Sequence, residues 1–457
     1  MFKKIVALCC IILFAFSPFS VKAESEKPTI TANAYVLYNP DNDEIVESKN
    51  QDKKMYPASL TKMMTALAVT KLCDDYREEI TVTENSIKSL YGTNSSKAGI
   101  LKGEIITVEQ MLYLMLLPSG NDAALALAEH FTNKGEDFIK FMNELAKSLG
   151  MNNSNFVNPH GLHDENHYTT AADLAILADA FMGVPMLCKI AKCREFIMPQ
   201  TNLQVERPIR TTNYLLRDDT TRYYYKYATG LKTGYTDDAG KCFAGSAEKN
   251  GVKYIVILLS VPEVWDRYGL VRTEFLEAAE LFKYAFSNYK FTKIAKRNTI
   301  LESLPVFETR NKTVDLGLKN DIFATIPNDT DLNKIIIDFT PQNLLDKNIA
   351  DSPVKKGDSF GVAKLMLENR VVGECEVLAL NTVEPNALIV FWHAIDFYVY
   401  LILGIILFLI FAFCVLIIRK QIVLYRRRKM REKREQNRKR LEQEFLKRDP
   451  YNYFKMD

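Results

Sequence analysis

The 457-residue chain reads as an α+β protein: an antiparallel sheet with packed helices, then a small all-β domain, then one transmembrane helix. Three observations predict this. Strand-like runs lie at both ends of the first 290 residues, with helix-like runs between them. Short β-rich runs separated by turn residues follow to about residue 385. Last comes an uncharged run of 22 residues, Phe397 to Ile418.

Thr31 to Ser48 alternates apolar and polar residues around Asn39-Pro40-Asp41-Asn42-Asp43, the pattern of a hairpin. Ser59 to Cys73 is apolar at helical spacing. Val108 to Leu117 and Asp122 to Phe131 read as two helices broken by Pro118-Ser119-Gly120. Phe138 to Leu149 and Ala171 to Met182 continue the helical region. The pattern then changes to consecutive strands: Tyr223 to Tyr235, Lys241 to Ala247 and Lys253 to Val261. A long amphipathic helix is expected from about Val271 to Phe286. Thr313 to Leu318, Ile335 to Phe339 and Val371 to Leu380 are strands of the all-β module, placed at 291–385; the first domain is placed at 24–290.

The net charge of +3 hides a segregation. Residues 419–457 carry 15 Lys and Arg against 6 Asp and Glu, which leaves 24–418 at −9. An acidic body with a basic tail points to a membrane between them and not to nucleic acid. At the N-terminus, Lys3 and Lys4 precede an apolar run from Ile5 to Phe16. Val21-Lys22-Ala23 then offers small residues for cleavage, so 1–23 reads as a secretory signal peptide. The second apolar segment, taken as 393–418, is long enough to cross a bilayer. Trp392, Tyr398 and Tyr400 mark one end. Arg419, Lys420 and Arg426-Arg427-Arg428-Lys429 mark the other. The positive-inside rule puts the basic tail, 419–457, in the cytoplasm and the folded part outside, in a single-pass protein of the cell membrane. Five cysteines remain outside, Cys73, Cys188, Cys193, Cys242 and Cys375. An odd number is no disulfide framework; Cys188 and Cys193 could bridge locally, and most read as small buried hydrophobes.

Three short motifs carry chemistry. In Ser59-Leu60-Thr61-Lys62, positions i and i+3 share a helix face, so hydroxyl and amine can meet. A serine hydroxyl attacks only when a base takes its proton, and a lysine serves only with a lowered pKa. Ser119-Gly120-Asn121 sits at a helix break. Its hydroxyl can relay a proton and its amide can hold a carbonyl or the base; an interhelical turn with a cap is the bland reading. Lys232-Thr233-Gly234 lies on an expected strand. Lys232 could bind a carboxylate and depress Lys62, Thr233 could donate to the same carboxylate, and Gly234 would let a substrate backbone approach. His160, His163 and His167 have metal-like spacing but lie in a loop with no helical Glu partner. No metal and no other cofactor is expected.

In this order the motifs are the signature of penicillin-binding proteins and serine β-lactamases. The flanking residues narrow it. Tyr56-Pro57-Ala58-Ser59-Leu60-Thr61-Lys62-Met63, Leu116 to Ala124, Asn158-Pro159-His160-Gly161-Leu162 and Gly230-Leu231-Lys232-Thr233-Gly234-Tyr235-Thr236 closely resemble the D-alanyl-D-alanine carboxypeptidases, the low-molecular-mass penicillin-binding proteins of serine peptidase family S11. Val354 to Gly361 resembles part of that family's small β-domain. The resemblance covers about 30 to 385 and implies a β-lactamase/transpeptidase-like fold. It implies removal of the terminal D-alanine from peptidoglycan pentapeptides, with β-lactams as covalent inhibitors. Ser59 would be the nucleophile, Lys62 the general base, Ser119 the proton relay and Asn121 the orienting amide. Lys232, Thr233 and Gly234 would bind substrate, and the N–H groups of Ser59 and Tyr235 would form the oxyanion hole. Many family members carry His where this chain has Tyr235. The family's further arginine near the substrate carboxylate is either Arg267 or Arg272. A serine β-lactamase, with Glu165 as deacylating base, and an inactive wall-binding membrane anchor are the alternatives.

Overall fold

A computed structural model describes residues 26–446 except 135–136, 220–221 and 347. The expected signal peptide and the last residues of the basic tail lie outside the described residues. Two compact units make up the chain. One comprises the described residues up to Thr299 with Lys319–Phe339 and Val362–Cys375. The other comprises Ile300–Leu318, Thr340–Gly361 and the residues from Glu376 onward.

The first unit is built on a five-stranded antiparallel sheet. Its strands are β1 (Ala34–Asn39), β2 (Glu44–Lys49), β3 (Ala228–Thr236), β4 (Gly240–Lys249) and β5 (Val252–Val261), in the order β2-β1-β5-β4-β3. The expected hairpin is β1–β2. Strand β5 explains the sheet's place in the layers. Ile255, Ile257 and Leu259 face one core cluster while Tyr254, Val256 and Leu258 face another. Both faces are covered, so the strand reads as a continuous apolar run instead of an alternating one.

Helices α1 (Thr61–Leu72), α2 (Val108–Leu116), α3 (Asn121–Asn133), α4 (Phe138–Ser148) and α5 (Ala171–Met182) supply the first cluster. Residues Thr61 to Val69 of α1 are buried without interruption, so this helix runs through the core. Thr107 and Gln110 form a capping box at the start of α2, and Thr170 caps α5 through the Asp173 N–H. Helix α6 (Pro185–Lys192), not foreseen, follows with Pro185 at its first turn. On the other face lies α7 (Thr273–Asn288), whose Phe275, Ala278, Phe282 and Ala285 recur at helical spacing.

One expected strand is shorter than anticipated: β3 begins at Ala228 and not at Tyr223. The tyrosines ahead of it suit a strand by propensity. Tyr223, Tyr225 and Tyr227 pack instead against α7, with Tyr225 stacked on Phe282, Tyr227 near Phe286 and Tyr223 against Phe275, while Tyr224 is exposed. A hairpin of Val264–Asp266 and Gly269–Val271 was also not foreseen. Cys188 and Cys193 are not bridged; their thiols donate to the carbonyls of Met182 and Glu195.

From Tyr289 to Ala379 every regular element is a strand, apart from one 3-10 turn at Leu332–Lys334. Within the first unit, Tyr289–Ala295 pairs with Ile322–Pro327. Within the second, Ile300–Pro305 pairs with Thr313–Leu318, and Leu316 to Leu318 pair with Val377 to Ala379. The fold is the expected α+β architecture followed by an all-β module. The second unit ends in one helix, Ala387–Leu446, whose apolar stretch is exposed. Its uncharged 22 residues span about 33 Å, which matches a hydrocarbon core of about 30 Å. The described part of the basic tail continues this helix.

Candidate active site

Ser59 sits in a 3-10 turn, Ala58–Leu60, that leads directly into α1. The turn is strained: Ala58 has φ +47°, a region that side chains disfavour. Two glycines hold it. A Cβ on Gly161 would lie 1.9 Å from Ala58 O, and one on Gly234 would lie 3.1 Å from Ser59 N. The turn is thus clamped between a loop, where no side chain fits at Gly161, and strand β3, where one at Gly234 would be crowded.

Lys62, the second residue of α1 and one turn beyond Ser59, is fully buried. Its Nζ lies 2.8 Å from Ser59 Oγ, 2.6 Å from Asn121 Oδ1 and 2.8 Å from His160 O. Two of these partners can only accept; the serine hydroxyl can also donate. A neutral amine has two N–H donors and one lone pair. The site therefore accommodates neutral lysine with both donors spent on Asn121 and His160, and its lone pair facing the Ser59 proton. Electrostatics favour that state. Burial pushes the Lys62 pKa well below the usual lysine value, the nearby Lys232 cation lowers it further, and Asp122 partly opposes both.

Ser119 and Asn121 stand on the turn into α3. Ser119 adopts φ +64° and is buried, and its hydroxyl has no hydrogen-bond partner among the described residues although it lines the cleft. Gly120 is forced small, because a Cβ there would lie 2.7 Å from both Ala98 Cβ and Leu114 O. Asp122 ties the same turn to the segment that follows Ser96 by accepting from the N–H groups of Ala98 and Gly99.

Strand β3 is the edge of its sheet, so part of its backbone is open to a further extended chain. Lys232 on it is buried, and among the described residues Nζ makes one hydrogen bond, to Thr233 O at 2.9 Å. Burial lowers its pKa to about 7. Thr233 Oγ1 lies 2.6 Å from Thr212 Oγ1. Tyr235 exposes its ring, whose hydroxyl donates to Asp237. Ser59, Ser119, Asn121, Thr233, Gly234 and Tyr235 all line one cleft of about 850 Å³.

The histidines turn out to brace this site. The Val157 N–H donates to His167 Nδ1, so Nε2 carries the proton and donates to Thr61 Oγ1 at 2.8 Å. Thr61 Oγ1 in turn donates to Ala58 O, next to Ser59. Burial pushes His167 down to about 4 and His160 to about 3, so both rings are neutral. No group of three metal-ligating side chains is assembled among the described residues. Of the two candidate arginines, Arg272 lines the cleft and Arg267 is not among its lining, with its guanidinium lying over the Tyr268 ring. Thr61, Asp122 and Gly161 were given no role from sequence, and His167 was noted only for its metal-like spacing. The positive φ of Gly161 leaves no local trace beyond the glycine itself.

The D-alanyl-D-alanine carboxypeptidase family of S11 peptidases matches residues 21–263, and the C-terminal domain of penicillin-binding protein 5 matches 289–385. The chain belongs to the S11 D-alanyl-D-alanine carboxypeptidase family. Among S11 relatives, the D-alanyl-D-alanine carboxypeptidase DacA of Haemophilus influenzae is 31% identical over 81% of this chain and 91% of its own length. DacF of Bacillus subtilis is 27% identical over 83% of this chain and 94% of its own. Among solved structures, penicillin-binding protein 5 of Haemophilus influenzae superposes with a TM-score of 0.64. It has 28% identity and covers 79% of this chain and 99% of its own.

The two S11-motif lysines predict a pH profile. A reaction in which Lys62 takes the Ser59 proton and Lys232 binds a carboxylate would need Lys62 neutral and Lys232 charged. kcat/KM should therefore fall at low pH as Lys62 takes up a proton. It should fall again above about pH 7 as Lys232 loses one. A bound carboxylate raises the Lys232 pKa, so the alkaline limb of kcat should lie above that of kcat/KM. Steady-state rates from pH 5 to 10 check this; coincident alkaline limbs would contradict it.

Proposed function

We propose that this chain is a serine D-Ala-D-Ala carboxypeptidase that removes the terminal D-alanine of peptidoglycan stem peptides and is acylated by penicillin. The observation that carries this is the buried Lys62 amine, with one contact to the Ser59 hydroxyl and two to groups that only accept. Ser59 Oγ attacks the penultimate D-alanine carbonyl while its proton passes to Lys62. The carbonyl oxygen collects charge between the N–H groups of Ser59 and Tyr235, an arrangement worth roughly 3–4 kcal/mol per donor in other serine hydrolases. Ser119, whose hydroxyl has no other partner among the described residues, carries the proton onward to the leaving D-alanine nitrogen. Lys232, Thr233 and Arg272 hold the terminal carboxylate. Water then hydrolyses the ester on Ser59 and frees the shortened peptide.

The apolar helix anchors the protein in the cell membrane as a single pass, with the cleft outside and the basic end in the cytoplasm. The charge asymmetry around residues 397–418 supports this orientation. A signal peptide at 1–23 fits the same topology. The β-lactamase reading is disfavoured because Glu165 is exposed and is not among the cleft-lining residues.

Incubation with a pentapeptide should release one D-alanine, read as the mass loss of a single residue. A fluorescent penicillin should label the protein in a stable 1:1 adduct, and Ser59→Ala should abolish the label. Undiminished labelling of Ser59→Ala, or rapid penicillin turnover, would defeat the reading.

A further inference from the structure

Tyr214 lies in a short 3-10 turn, Tyr214–Leu216, that lines the cleft. This turn is fastened to strand β3 beside the Lys-Thr-Gly motif. Asn213 Nδ2 donates to Gly230 O, and Thr212 shares its hydroxyl bond with Thr233. The Tyr214 ring carries two guanidinium groups. Arg272 lies 4.2 Å from its centroid and Arg217 lies 4.7 Å from it. Phe275 and Tyr223 pack on the same ring, with centroids 5.6 and 5.9 Å away, and fix its plane.

The two arginines differ in their other partners. Arg217 is held by Asp219, to which it donates at 2.9 and 3.2 Å. No carboxylate lies within ion-pair distance of Arg272 among the described residues; its backbone N–H is held by the Tyr223 hydroxyl. Its guanidinium is thus located by ring contact; the buried carboxylate of Glu274 feels its charge but pairs with Lys241 at 3.8 Å, so the N–H fork of Arg272 remains open to an anion. An arginine on an aromatic face keeps its in-plane donors available, because the attraction uses the ring's face and not a hydrogen bond. A carboxylate partner in its place would neutralise it.

We propose that Tyr214 is a positioning residue: its ring is the platform that presents Arg272 to the carboxylate of the D-alanyl-D-alanine terminus. The proposal rests on the carboxypeptidase reading above. The platform acts on binding of the charged terminus and not on the proton transfers around Ser59. Removing the ring while keeping Arg272 should therefore weaken carboxylate recognition alone.

The test compares an N-acylated L-lysyl-D-alanyl-D-alanine with the same peptide ending in a carboxamide. KM and kcat are measured for the first, and a competition constant against fluorescent penicillin for the second. Tyr214→Leu should raise KM for the carboxylate about 3- to 30-fold, the span from an exposed to a desolvated cation–π contact. It should leave kcat and the carboxamide constant within about twofold. Tyr214→Phe, which keeps the ring, should restore KM. In an Arg272→Leu background the leucine substitution should change KM no further. Equal losses on both peptides, a phenylalanine variant as poor as leucine, or a leucine variant that does not fold would overturn the proposal. A wild-type protein inactive on the carboxylate peptide would instead overturn the carboxypeptidase reading, and the proposal with it.

Discussion

Lys62→Met should lose acylation by penicillin at neutral pH by about 10²- to 10⁴-fold while the protein remains folded. Methionine has nearly the volume of lysine and suits a site that is wholly buried. Two stability effects oppose each other. Asn121 Oδ1 and His160 O lose their donor, which costs about 1–3 kcal/mol per orphaned acceptor. The buried amine, already destabilised by desolvation, is relieved. Folding should therefore change little while chemistry collapses. Lys62→Arg sharpens the point. A guanidinium stays protonated at any accessible pH, so it keeps the charge but cannot take the Ser59 proton. It should be as inactive as methionine. Stopped labelling with fluorescent penicillin gives the rate and a thermal melt gives the fold. A Lys62→Arg protein acylating within tenfold of wild type would rule Lys62 out as the base.

Gly161→Ala should have the second largest effect, and it reaches the nucleophile without touching it. The added Cβ would lie 1.9 Å from Ala58 O, a backbone atom that cannot swing aside, and the position has φ +85°. Either the loop Asn158 to Leu162 or the turn of Ser59 must move. Overpacking of a buried site costs about 1–3 kcal/mol, and the left-handed backbone adds about 1 kcal/mol more. His160 O moves with this loop, so Lys62 loses a partner as well. The expected outcome is a lower melting temperature and acylation slowed by at least about tenfold, since small displacements of reacting groups carry large penalties. Unchanged acylation and melting would mean that the clamp on Ala58 is not what positions Ser59.

Much of the site was legible because its key pairs are local. Ser59 and Lys62 meet through the helix period, and Lys232, Thr233 and Gly234 are consecutive on one strand. Helix α5 was read with its observed limits because Thr170 and the apolar spacing mark its start and face. The braces were not legible. His167 reaches Thr61 across 106 residues, and Arg272 reaches Tyr214 across 58. No local pattern announces such contacts. The same limit explains the misread start of β3. Tyrosine runs satisfy strand propensity, but here packing against α7 offers them more burial than pairing would.

By itself the sequence determined the succession of the main helices and strands, the apolar span of residues 397–418, and which side chains have the acid–base character that the proposed chemistry needs. These follow from backbone periodicity, hydropathy and the acid–base properties of side chains, all of which are local. Only the tertiary structure decided three further matters. It chose Arg272 over Arg267 for the cleft, it gave His160 and His167 a place as neutral braces, and it set Gly161 and Gly234 against the turn of Ser59. Each depends on which distant segments come into contact, and burial then fixes the charge state: desolvation holds Lys62 toward its neutral form, the property that makes a lysine beside a serine a usable base.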